Sequence, residues 1–148
     1  MIRQRIYIDK YDILVHAYYA TTQYYVDEIL DKLYDLGCRG RNMQRAEDNL
    51  SSGELNTGLT YYSSRKREAV MVIALTSSAA EFYNSLMHEL SHLTAFIAKD
   101  NNLSFTGEAI AYLEGELARD IFPKVQPLLC DCCRNNSINK QIHNHYER

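Results

Sequence analysis

A chain of 148 residues has room for one ordinary domain and can bury enough surface to dispense with disulfide staples. Its 46% hydrophobic and 24% charged residues read as a globular chain rather than a disordered one, and its formal net charge of −3 argues against a nucleic-acid partner held by a basic surface. No segment approaches the roughly 18 apolar residues of a membrane span, and the N-terminal stretch lacks an apolar run of signal-peptide length. The expectation is a cytoplasmic chain with no membrane contact, its four cysteines reduced.

In chain order, "RQRIYI" and "YDILVHAYYA" read as two β segments rich in Ile, Val and Tyr. Tyr25, Ile29, Leu33 and Leu36 then recur at helical steps until Gly37 ends the run, and "RNMQRAEDNL" predicts a second short helix. "GLTYYSS" and "AVMVIAL" flank Arg65-Lys66-Arg67 in a β-hairpin pattern. The basic triplet reads as a solvated tip, and the second strand is apolar enough to be central. Ser77 or Ser78 is placed to cap a long helix running to about Lys99. A further helix is expected from about Thr106 to Phe122, stopped by Pro123 and Pro127. The order predicts an α+β fold, a small mixed sheet packed on helices, in a single domain over 1–128. Residues 129–148 read as a loosely held tail containing cysteine and histidine.

The first long helix carries "HELSH". Residues four apart share a helix face, so His88 and His92 are able to present ring nitrogens to one zinc ion. Glu89, one step around, is then placed to take a proton from water without itself being a ligand. Phe82, Leu86, Leu90, Leu93 and Ile97 form the apolar stripe, with the histidines on nearly the opposite side. They are therefore not core histidines. The next helix adds a strip of small residues, Ala111, Gly115 and Ala118, which suggests close helix–helix approach. Glu108 lies beside that strip and is the expected third ligand, ahead of Glu114 and Glu116. Tyr112, one turn further on, is the expected second electrophile for an oxyanion, with Tyr61, Tyr62 and His16 as other candidates. Glu81 is a weaker candidate for orienting a histidine.

"HELSH" followed by "GEAIAYLEG" resembles the gluzincin branch of the zincin metallopeptidases, whose third ligand is a glutamate on the following helix, often in a Glu-x-x-Ala pattern. Glu108 with Ala111 matches that form. The resemblance spans about residues 55–122, and the whole chain is similar to short zincin-like proteins of phages and mobile elements of gut Bacteroidetes. It implies an active-site helix following a small mixed sheet, and an edge strand that binds extended peptide by strand addition. The chain departs from larger gluzincins in lacking a second helical subdomain to wall the cleft.

The resulting expectation is a zinc-dependent hydrolase, a metallopeptidase with peptide or protein as substrate. The alternative is a zincin scaffold that binds a partner without catalysis, or a phage accessory or structural protein. A homodimer through the sheet edge is compatible with either. One zinc ion is expected. Cys130, Cys132 and Cys133, with His143 and His145 downstream, lack the paired Cys-x-x-Cys spacing of a zinc knuckle, so a second ion there is not favoured.

Overall fold

Two segments, Ile13–Thr21 and Glu68–Ala74, are apolar at almost every position, as strands covered on both faces must be. In the computed structural model they are the two central strands of a four-stranded sheet. The structure describes residues 1–146, with side chains to 136 and again at 139–140. In chain order the elements are β1 (Ile2–Ile8), β2 (Ile13–Thr21), α1 (Val26–Asp35), α2 (Gly40–Ser51), β3 (Gly58–Ser63), β4 (Glu68–Ala74), α3 (Ala79–Asp100), α4 (Glu108–Val125) and α5 (Asp131–Tyr146). The sheet order is β1-β2-β4-β3. β1 and β3 are antiparallel edge strands, whereas β2 and β4 run parallel. The expected α+β class with a small mixed sheet is therefore found.

Strand alternation divides the interior in two. Ile13, Val15, Ala17 and Tyr19 of β2, with Ala69, Met71 and Ile73 of β4, face α3 and α4. Tyr18, Val70 and Val72 face the opposite way, onto Ile29 and Leu33 of α1 and Ala46 of α2. The apolar stripe of α3 is buried as its spacing predicts, and Leu113, Leu117 and Ile121 bring α4 onto the same core. Each fully buried aliphatic side chain of this kind contributes about 1.5–3 kcal/mol of transfer free energy. Cys38 is a buried packing residue beside α1.

Three expectations need correction. The basic triplet is not a wholly solvated tip. Arg67 is half-buried and pairs with Asp100 at 2.7 Å, and Lys66 reaches the carbonyl of Asp35. Pro123 does not stop α4, which continues to Val125. In the last turn the missing N–H removes one helical bond, and burial of Val125 and Leu128 carries the chain onward. The segment after 129 is also more ordered than its weak periodicity suggested, because most of it forms α5. Its first turn is tied to the body where Asp131 accepts from the Ala79 N–H and Arg134 donates to the carbonyls of Thr76 and Ser77. No helix among the described residues is long and apolar enough to cross a membrane.

Candidate metal centre on the third helix

Ser78, extended at φ −154°, caps α3 by accepting the Glu81 N–H at 3.1 Å and fixes where the helix starts. From that start the 100° step places His88 and His92 on the outer flank, both exposed, and Glu89 inward. The two rings meet edge to face with centroids 4.7 Å apart, and their Nε2 atoms are 3.1 Å apart. Two zinc–imidazole bonds of ordinary length at a tetrahedral angle put the nitrogens about 3.3 Å apart. The pair therefore has the bite that one small divalent cation needs, and the imidazole donors suit zinc.

Glu89 is only 5% exposed. Its Oε2 accepts the Thr60 hydroxyl hydrogen at 2.7 Å, and the same hydroxyl lies 3.2 Å from the Glu89 backbone carbonyl. Thr60 is on β3, so the carboxylate sits under the edge strand. Gly58, two residues back on the same face of β3, makes the space. A Cβ there would stand 2.8 Å from Glu89 Cγ and 2.9 Å from Oε1. Glycine at 58 is thus required by close approach to the carboxylate. Thr60 and Gly58 were not singled out in the sequence, because nothing in the period of a strand says which of its residues faces a particular helix position.

The helix expected to bring the third ligand packs on the wrong flank. Thr94, fully buried, donates to Glu114 of α4 at 3.1 Å. Two residues beyond His92, Thr94 is rotated about 160° from it around α3. α4 therefore lies nearly opposite the histidines. Glu108 is exposed at the start of α4, about 9 Å along its axis from Glu114 toward the α3–α4 turn. Among the described residues no third His, Cys, Asp or Glu joins His88 and His92 within 4.8 Å. The structure thus does not bring Glu108 to the pair, and Glu116 shares its helix. Tyr112, 67% exposed on α4, is likewise not at the pair. The small-residue strip does not mark a close helix–helix approach at Ala111, which is exposed, or at Gly115, where a Cβ would meet nothing within 4 Å.

The remaining candidates are engaged elsewhere. Tyr62 donates to Asp100 and stacks on Phe96, while Tyr61 packs on the α1–α2 side of the sheet. His16 is on that same side, 2.8 Å from Glu68. Glu81 accepts from Asn84 rather than from a histidine. Alongside β3, a cleft of about 410 Å³ runs between Asn42, Arg45 and Asn49 of α2 and Phe96 of α3.

Comparison with protein-family models, with curated proteins and with solved structures returns no match.

Proposed function

We propose that the chain is a small zincin-like hydrolase in which His88 and His92 hold one zinc ion and Glu89 manages the proton of the attacking water. The observation that carries this reading is the pair of Nε2 atoms 3.1 Å apart, with a buried carboxylate on Glu89, the residue that follows the first histidine. Zinc, when bound, supplies Lewis acidity and lets water ionise near neutral pH. The exposed faces of the two rings leave the other coordination positions open to water and to an incoming group, rather than to α4.

The protein's own residues do the rest. Thr60 holds one oxygen of Glu89, which fixes the carboxylate and leaves Oε1 to accept a proton and return it to a leaving amine. β3 is the edge of the sheet directly above that carboxylate, and the cleft beside it has room for an extended peptide added as a further strand. The hairpin running into the helix of His88 and His92 supports the resemblance to the zincins.

A second reading is favoured by the Thr94–Glu114 contact, which keeps α4 from supplying a third donor. On that reading the scaffold binds a peptide along β3, and the metal pair is a minor structural feature. The test is metal content and cleavage measured together. The hydrolase reading expects the purified chain to hold one more equivalent of zinc than His88→Ala or His92→Ala, with Glu89→Gln holding as much as the parent chain and peptide-library cleavage abolished in all three. Zinc without cleavage leaves the binding reading, and equal zinc in all variants removes the site.

A further inference from the structure

Cys130, Cys132 and Cys133 converge on one point of the surface although they come from a single turn. Cys130 Sγ lies 2.9 Å from Cys132 Sγ, which lies 3.8 Å from Cys133 Sγ, and all three sulfurs fall within 4.8 Å of one another. Their spacing alone does not signal this convergence. Paired Cys-x-x-Cys is one way to gather thiolates, and the first turn of α5 is another.

The residues interleaved with the cysteines explain why the cluster stands where it does. Asp131 accepts the Ala79 N–H at 2.8 Å, and Arg134 donates to Thr76 O at 2.7 Å and Ser77 O at 3.0 Å. These two side chains pin the inner side of the turn to the β4–α3 loop. The three cysteines are left on its outer side, exposed.

The geometry suits a thiophilic ion. Two sulfurs bonded to one zinc-sized ion lie about 3.8 Å apart, which is the separation of Cys132 and Cys133. Cys130 has to open by about 1 Å, a small rotation of an exposed side chain. We propose that Cys130, Cys132 and Cys133 form a binding site for one soft, closed-shell cation, Zn(II) or Cu(I), independent of His88 and His92. Three sulfur donors favour such ions over hard ones. Bound there, the ion stiffens the first turn of α5, which Asp131 and Arg134 hold against the start of α3.

The test uses the full chain, untagged and reduced, titrated anaerobically with Cd(II) as the spectroscopic stand-in for Zn(II), and separately with Cu(I). One equivalent of either should bind with thiolate-to-metal charge-transfer absorption, unchanged in the His88→Ala/His92→Ala double variant and in Cys38→Ser. Because losing even an outer partner of a metal ligand weakens a site about 10–100-fold, Cys132→Ser and Cys133→Ser should each weaken binding by at least about 10-fold. A stronger response to Cu(I) indicates three-coordinate binding, and to Cd(II) a fourth position filled by water. Uptake of neither probe, or equal uptake by folded Cys132→Ser, overturns the proposal.

Discussion

Thr60 on the edge strand donates its hydroxyl hydrogen to the buried Glu89 carboxylate across 2.7 Å. Replacing it by valine keeps the shape and removes the donor, leaving a nearly enclosed carboxylate short of a partner. Thr60→Val should lose about 1–3 kcal/mol of stability by urea denaturation. Thr60→Ser, which retains the hydroxyl, should lose less than Thr60→Val. Equal losses would mean that the methyl group, not the bond, matters at this position.

Gly58 tests the same contact from the opposite side. A methyl at 58 would lie 2.7 Å from the Val72 carbonyl oxygen as well as against Glu89, so backbone as well as side chain must yield. Gly58→Ala is expected to destabilise by about 1–3 kcal/mol, the usual cost of overpacking. Because Glu89 is the movable partner, the proposed function adds a larger loss in cleavage than in zinc content. An unchanged midpoint would show that β3 lies further from α3 than this geometry has it.

Glu108 and Glu114 separate the sequence expectation from the structure. Glu114 accepts from fully buried Thr94, so Glu114→Ala should cost about 1 kcal/mol. Glu108 is exposed, and Glu108→Ala should stay within about 0.5 kcal/mol of the parent chain. Zinc content in Glu108→Ala should match the parent chain. Zinc lost in that variant alone would restore Glu108 as a ligand and require α4 to move around α3.

Asp100, at the end of α3, gathers Tyr62, Ser64 and Arg67 and so ties β3 and its hairpin turn to the helix. Hydrogen bonds from Ser64 and Tyr62, with Arg67 adding its charge, hold its carboxyl below the ordinary value. A depressed carboxyl stabilises the fold above its unfolded value of 3.8, and that contribution is lost as pH falls through the folded value. Asp100→Asn should therefore cost about 1–2 kcal/mol at neutral pH, allowing for partial exposure. The gap between variant and parent should close below about pH 4.

The helix of the histidine pair was legible because burial imposes a 3.6-residue period, and Phe82, Leu86, Leu90, Leu93 and Ile97, which follow it, are all buried. The central position of β4 was legible for a similar reason, an unbroken apolar run. What surrounds His88 and His92 was not. A helix has several flanks, and although Leu113, Leu117 and Ile121 take α4 to the shared core, the Thr94–Glu114 contact that marks its flank of α3 is encoded by no periodicity. Gly115 illustrates the hazard: a small residue in a helix suggests close packing, yet here it faces open space. The convergence of Cys130, Cys132 and Cys133 was not legible either, because it depends on the turn that opens α5 and not on paired Cys-x-x-Cys spacing.

His16 gives the fold a pH dependence of its own. Its ring lies buried on the α1 side of the sheet, 2.8 Å from Glu68, with Lys32, Arg5, Tyr18, Glu28, Asp31 and Asp35 around the same hollow. Burial lowers its pKa below 6.5, outweighing the hydrogen bond and charge of Glu68, which act in the opposite sense, and Lys32 and Arg5 lower it further. The unfolded chain then binds the proton more readily than the folded one, so stability is complete above about pH 6.5 and declines as the pH drops toward the folded value. The decline ends once both states are protonated. His16→Gln keeps a polar group opposite Glu68 and removes the titration, so its stability should be flatter between about pH 6.5 and 5 than that of the parent chain. Denaturant midpoints at half-unit pH intervals measure this directly, and parallel curves for the two proteins would remove His16 as the source.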